Sequence, residues 1–210
     1  MVNTKNAQLI AIAGNIGVGK SSLAKRLEEH FGWQCLLESV DENPYLADFY
    51  TDMKRWSFHS QIYFLSRRLE QYQQLATAQK PVIQDRTIYE DAEIFAHNLY
   101  VQGYMTDQDY KTYQHLYNGV QFLLPPPDVL IYLRASVGVL AERIAQRSRD
   151  YERQISIEYL AQLNTRYEEW VSTWQRSPII YIDCTSLDFV NNKRDFESIL
   201  QQLPRTLLNT

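Results

Sequence analysis

The chain has 210 residues, 45% of them hydrophobic and 22% charged, with 21 Lys and Arg against 25 Asp and Glu for a net charge of −4. That length suits one domain with a modest lid, and the acidic balance excludes a polynucleotide as the main partner, because binding a phosphate backbone needs a basic surface. Two cysteines, Cys35 and Cys184, read as buried thiols rather than as a disulfide framework or a metal site, and no stretch approaches a membrane span; Met1 to Gln8 carries neither an apolar signal core nor an Arg-rich run, so a reduced cytoplasm is the expected setting.

The first predicted element is an apolar strand, Leu9 to Ala13, which runs directly into Gly14-Asn15-Ile16-Gly17-Val18-Gly19-Lys20-Ser21. This is G-x-x-x-x-G-K-[ST], the phosphate-binding P-loop, followed by Leu23, Leu27 and Phe31 at helical spacing. Glycines let the backbone wrap closely, so that successive N–H groups and the N-terminus of the next helix cradle a polyphosphate. Lys20 is placed to reach the β- and γ-phosphates and Ser21 to hold Mg²⁺ through its hydroxyl. A plain strand-to-helix turn explains neither side chain.

Four more short apolar runs follow, Gln34 to Leu37, Pro81 to Gln84, Val129 to Leu133 and Ile179 to Ile182, each separated from the last by long amphipathic stretches. The alternation predicts an α/β layered fold on a five-stranded, mostly parallel sheet. Ligands then collect at the carboxyl ends of the strands, which makes Glu38, Asp85, Arg86, Arg134 and Asp183 the candidates. Pro125-Pro126-Pro127 stiffens the approach to the fourth strand without dividing the chain, so residues 1–210 are read as one domain.

Arg143 and Arg147 stand at i and i+4, and with Arg149, Glu152 and Arg153 close by they predict a lid over about residues 143–153 that closes on transferring phosphate. A solvated charged face is the competing reading. Asn192-Lys193-Arg194-Asp195 fits a guanine-reading N-K-x-D pattern, but it follows no buried strand and no D-x-x-G accompanies it, so it reads as coincidence. Phosphoryl transfer to an alcohol needs an acceptor-orienting base, Mg²⁺ and cations for the transition state. Glu38, Lys20 with Ser21, and the arginines supply one candidate for each. A monophosphate acceptor would be repelled by Glu38, and a non-catalytic switch has no use for it.

Several separated segments, in order, resemble the P-loop deoxynucleoside kinases. They are Glu38-Ser39-Val40-Asp41-Glu42-Asn43-Pro44 with Phe49-Tyr50 and Trp56 to Gln61, then Asp85-Arg86-Thr87-Ile88-Tyr89-Glu90-Asp91 with Ile94-Phe95-Ala96, then Arg143 to Glu152. The resemblance implies a three-layer P-loop kinase fold, and a magnesium- and ATP-dependent kinase acting on a deoxynucleoside 5′-hydroxyl in nucleotide salvage, working as a homodimer. It implies Glu38 as the base and Arg86 as its holder and a phosphate contact. Tyr50 and Glu152 would grip the sugar 3′-hydroxyl, Gln61 the base edge, with Phe95 stacking on the base and Arg68 and Asp91 close to it. For the donor it implies Gly14 to Ser22, with Arg143, Arg147 and Arg149 as phosphate clamps and Asp188 and Phe189 enclosing the donor's base. Asp85 would join Ser21 at Mg²⁺. The wording around Glu38 to Asn43 is most similar to deoxyadenosine and deoxyguanosine kinases, which implies a purine substrate with deoxycytidine as the alternative. Two departures stand out: Ser60 where relatives carry an aromatic, and Arg-Ser-Arg in the lid where Arg-Gly-Arg is usual.

Overall fold

A computed structural model describes residues 8–38, 40–204 and 207. Ser39 of the acceptor string, and the reading made over residues 1–7, lie outside the described residues.

The five apolar runs form β1 (Leu9–Gly14), β2 (Gln34–Leu36), β3 (Val82–Asp85), β4 (Val129–Arg134) and β5 (Ile179–Asp183). They make one parallel sheet in the order β2-β3-β1-β4-β5, with Ile12 beside Asp85 and Gly14 beside Leu133. Six boundaries move by one residue, and two of these shifts have local causes. Pro81 has no N–H to give a ladder, and β3 starts after it at Val82; β2 ends at Leu36 because the Leu37 carbonyl turns to accept the Gln71 amide at 2.7 Å.

The helices are α1 (Lys20–Phe31), α2 (Leu46–Thr51), α3 (Met53–Thr77), α4 (Ile88–Glu90), α5 (His97–Val101), α6 (Asp107–Gln121), α7 (Val137–Arg147), α8 (Ile157–Thr173) and α9 (Lys193–Gln202). Strand alternation divides the core between the two faces of the sheet. Ile10 and Ile12 face a cluster with Leu23, Leu27 and Ile182, while Ala11 and Ala13 face one rich in large aromatics, among them Tyr113, Tyr167 and Trp170. Small residues on β1 make room for those rings. Both faces are covered, as an all-parallel sheet requires. On α1, Leu23 and Leu27 are fully buried one turn apart, worth roughly 2 kcal/mol each by area removed from water. That helix stops at Gly32, whose φ of 70° is the left-handed cap that glycine adopts without strain.

α3 differs from an ordinary packed helix. Its buried residues are Ser57, Ser60, Gln61, Leu65, Arg68 and Gln71, a stripe that is polar where packing alone selects apolar side chains. A polar stripe facing inward at the carboxyl ends of the strands needs partners there, and it finds them around Glu38.

Candidate active site

The phosphate loop is held by its glycines and by distant side chains. Gly14 has φ 143°, and a Cβ there would lie 2.4 Å from the Leu133 carbonyl oxygen, so β4 leaves no space for any other residue. The Asn15 side chain bonds across the fold: its amide donates to Leu160 O at 3.0 Å and Asn164 Oδ1 at 2.6 Å, and its Oδ1 accepts the Ile16 N–H at 2.7 Å. It ties the loop to α8. The Lys20 ammonium is buried and donates to Asn15 O at 3.1 Å. Burial, then the nearby Arg86 charge, lowers its pKa to about 8, opposed by Asp85, Glu38 and Glu90.

Two clefts meet at this loop. The first is lined by Gly17, Val18, Gly19, Ser22, Arg143, Arg147 and residues 185–191. Phe189 is buried there; a Cβ on Gly19 would sit 2.6 Å from its ring. The Asp188 carboxylate accepts the Asn191 N–H and side-chain amide, so it caps its own loop. Arg143 also behaves differently from a phosphate clamp: its guanidinium donates to the carbonyls of Val18, Cys184 and Leu187.

The second is a cavity that shares Gly17 and Arg147 with the first and brings together Ile16, Lys20, Ser21, Glu38, Tyr50, Gln61, Asp85, Arg86, Phe95, Arg147, Arg149 and Glu152. Arg86 has φ 66°, rare for a residue with a side chain, and its guanidinium lies 4.1 Å from the Phe95 ring centre. Its Nη1 is 3.4 Å from Glu38 Oε1, and its buried Nε has no partner among the described residues. Burial pushes the Glu38 carboxyl up, but Arg86, Arg68, Lys20 and Arg149 together bring it below its ordinary value. Glu38 is therefore held as a carboxylate. Gln61 is 4% exposed, and its Oε1 is buried without a partner among the described residues. Ser60 fills less of the wall than an aromatic would and accepts from the Asn43 amide at 3.2 Å. Tyr50 lies over Tyr151 with parallel rings, centres 6.3 Å apart.

Ser21 Oγ donates to Asp85 Oδ2 at 2.5 Å, while Asp85 Oδ1 is buried with no partner among the described residues. A hydroxyl and an orphaned carboxylate oxygen at the mouth of a phosphate loop are the hard oxygen donors that Mg²⁺ takes. The residues fit that ion.

The lid residues bond carboxylates. Arg147 donates to Glu152 through Nε and Nη2, and Arg149 reaches both Glu152 and Asp41. Tyr151 OH donates to Asp41 at 2.6 Å. Arg153 pairs with Asp150 on the surface, away from the cavity. Ser148 has φ 54°, the left-handed conformation its usual glycine counterpart adopts freely.

Two strand-end candidates need correcting. Arg134 is half exposed and pairs with Glu168 at 3.4 Å, and Asp183 accepts the N–H of Thr185, so neither strand-end residue reaches the clefts. Arg68 and Asp91 form a buried pair that does not line the cavity: Arg68 sits behind Glu38, while Arg67 pairs with Glu42 and Glu70 at the surface. Sequence reasoning also passed over Glu90, which accepts from Gly14 N–H at 3.3 Å, Thr87 N–H at 2.9 Å and Tyr167 OH at 2.9 Å. Its one local signal is Thr87-Ile88-Tyr89-Glu90, a capping box that starts α4 ahead of a π-helical turn over Asp91–Ala96.

The deoxynucleoside kinase family model matches residues 10–209. A deoxyadenosine/deoxycytidine kinase of Bacillus subtilis is 42% identical over 197 residues, 93% of this chain and 91% of that protein. A deoxyadenosine kinase of Lactobacillus acidophilus is 38% identical over 95% of this chain and 96% of its own. Among solved structures, deoxyadenosine kinase from M. mycoides with the products dCMP and a flexible dCDP superposes with a TM-score of 0.83 at 35% identity, covering 93% of this chain and 98% of that one. The same enzyme with bound dATP gives 0.81 at 34% identity, over 97% of this chain and 100% of that one. The chain thus belongs to the deoxynucleoside kinase family, phosphotransferases acting on a deoxynucleoside hydroxyl.

Proposed function

We propose that the chain transfers the γ-phosphate of ATP to the 5′-hydroxyl of deoxyadenosine, with deoxycytidine as second substrate. The observation that carries this choice is the buried, unpartnered Oε1 of Gln61. A carboxamide offers an acceptor beside a donor, which matches the amine and ring nitrogen of adenine, and equally those of cytosine. Guanine presents a carbonyl there, and leaves a buried acceptor facing another acceptor unless the amide turns over. The names of the two relatives above, at 42% and 38% identity, agree with that order.

Glu38 orients the 5′-hydroxyl and takes its proton late in a loose transition state, so a carboxylate of low basicity suffices. Arg86 holds Glu38 and, with its free Nε, meets the incoming phosphoryl group. Phe95 stacks on the base, and Tyr50 and Glu152 bond the 3′-hydroxyl. Lys20 and the P-loop N–H groups bind the donor phosphates, and Arg147 and Arg149 turn to them from their carboxylate partners. Ser21 and Asp85 hold Mg²⁺, which when bound neutralises charge on the donor phosphates.

The enzyme works as a cytoplasmic homodimer in nucleotide salvage. Leu116 on α6, Phe122 and Leu123 just after it, and Val101 at the end of α5 are 47%, 86%, 62% and 50% exposed, apolar surface that a second copy would cover. Light scattering at micromolar concentration tests the dimer.

The deciding experiment compares kcat/KM for deoxyadenosine, deoxycytidine, deoxyguanosine, thymidine and dAMP with ATP. A preference for deoxyadenosine supports both reaction and pocket. A thymidine or deoxyguanosine preference overturns the reading of Gln61, and turnover of dAMP alone overturns the role of Glu38.

A further inference from the structure

We infer that Asp195 is a positioning residue of the donor cleft: with Arg26 it holds the segment between β5 and α9 that carries Phe189, without lining the cleft itself. The inference rests on the reading of that cleft as the place of the donor's base.

Residues 184–192 belong to neither strand nor helix, and a connection of this kind takes a fixed shape from its bonds to the elements around it. Asp188 receives two such bonds from the start of α9. Its N–H donates to Asp195 Oδ2 at 2.7 Å, and its carbonyl accepts the Asn192 N–H at 2.8 Å. Both backbone polar groups of one residue are thereby clamped to one helix end. The next two residues are held by α1, where Arg26 Nη1 donates to the carbonyl of Phe189 and, at 3.0 Å, to that of Val190. The Arg26 guanidinium also lies 4.3 Å from the centre of the Phe196 ring, on the residue after Asp195, so α1, the segment and α9 are tied together.

What this assembly positions is Phe189. Its ring is 2% exposed and stands so close to the phosphate loop that a Cβ on Gly19 would lie 2.6 Å from it. α1 opens at Lys20, directly after that loop, so Arg26 joins the segment to the helix that carries the loop's lysine. A shift of Asp188 would carry Phe189 away from Gly19 and open one wall of the donor cleft, while leaving the cavity around Glu38 as it is.

The same bonds account for Asn192-Lys193-Arg194-Asp195. Asn192 is the N-cap of α9, its Oδ1 accepting the Arg194 N–H at 2.9 Å, and Asp195 is the third residue of that helix. A carboxylate there is favoured by the partial positive charge of the helix N-terminus. Lys193 pairs with Glu197 at 3.7 Å. The spacing is that of a cap and a clamp on one helical turn, and the acid is committed to a backbone N–H rather than to a guanine.

The test compares Asp195→Ala, Asp195→Asn and Arg26→Met. It reads kcat, KM for ATP, KM for deoxyadenosine, and the inhibition constant of inorganic tripolyphosphate, which carries the donor's phosphates without its base. Alanine removes the acceptor of the Asp188 N–H, so KM for ATP should rise by about fivefold, the order of one hydrogen bond. The other three constants should stay within about twofold of the parent. Asp195→Asn keeps an oxygen in the same place and should restore KM for ATP. Arg26→Met should match Asp195→Ala, and decides alone if that variant does not fold. Parental KM for ATP in Asp195→Ala overturns the inference, as does a rise in Asp195→Asn equal to that in Asp195→Ala. An equal rise for tripolyphosphate, or a fall in kcat, places the damage in the phosphate loop and overturns it as well. If the parent binds tripolyphosphate as tightly as ATP, the cleft holds no base, and the reading beneath the inference fails and takes the inference with it, a separate result.

Discussion

Glu90 Oε1 accepts the N–H of Gly14 at 3.3 Å, so a carboxylate 76 positions downstream holds the first turn of the phosphate loop. The same oxygen accepts from Tyr167 OH on α8, and Oε2 accepts from the N–H and hydroxyl of Thr87. All four partners are donors, as an ionised carboxylate requires, although burial pushes the Glu90 pKa up against the pull of Arg86, Lys20 and these bonds.

Glu90→Gln places an NH₂ group among donors. It should cost about 2–4 kcal/mol of stability, because at least one buried donor loses its acceptor and another faces a donor. The loop should loosen with it, raising KM for ATP more than KM for the deoxynucleoside. Thermal melting and ATP titration check this; parental ATP affinity would refute the link to Gly14.

Glu38 sets the expected pH dependence. Its pKa lies below the ordinary 4.5, because Arg86, Arg68, Lys20 and Arg149 outweigh the upward push of burial. A folded-state pKa that is depressed means the ion pair stabilises the fold fully above 4.5, and that this stabilisation is lost as pH falls through the folded value. With Glu38 as the proposed base, kcat/KM for deoxyadenosine should show no acid limb down to about pH 5. A limb centred near pH 6 would mean that another group is the base.

The strands were legible because both faces of a parallel sheet are buried, which leaves uninterrupted apolar runs such as Leu9 to Ala13 in the sequence. The phosphate loop was legible because Gly14, Lys20 and Ser21 are required at fixed spacing in one segment. Partners across the fold were not. Glu90 looks like a capping residue of α4 until Gly14 and Tyr167 are placed beside it, and nothing local distinguishes the buried Arg68 from the surface Arg67 next to it. Arg134 and Asp183 misled because the end of a strand is a place, not a contact: β4 and β5 leave both exposed, with neither among the residues that line the clefts.

Ser148 carries the chain through a left-handed turn, φ 54°, at the end of α7. That conformation costs a residue with a Cβ about 1–2 kcal/mol, which glycine does not incur. Its hydroxyl bond to Ala145 O at 3.0 Å is exposed and returns little. Ser148→Gly should therefore raise Tm by about 2 °C, the shift of a modest gain in a domain of this size. Ser148→Ala keeps the Cβ and should bring no gain. Equal behaviour of the two variants would place the cost elsewhere.

Arg143 separates two roles that the sequence merged. As a lid arginine that neutralises transferring phosphate, it would act on the transition state, and its loss would lower kcat. As a strut from α7 to the carbonyls of Val18, Cys184 and Leu187, it joins the phosphate loop to the segment bearing Phe189 and shapes the donor cleft before any chemistry. Lysine keeps the charge at that position, but a single ammonium cannot reach carbonyls on two segments at once. Arg143→Lys should then raise KM for ATP by about tenfold, equivalent to about 1.4 kcal/mol, with kcat and KM for deoxyadenosine held. A fall in kcat at unchanged KM for ATP would return Arg143 to the phosphate, and the three carbonyls would then be its resting place when the donor is absent.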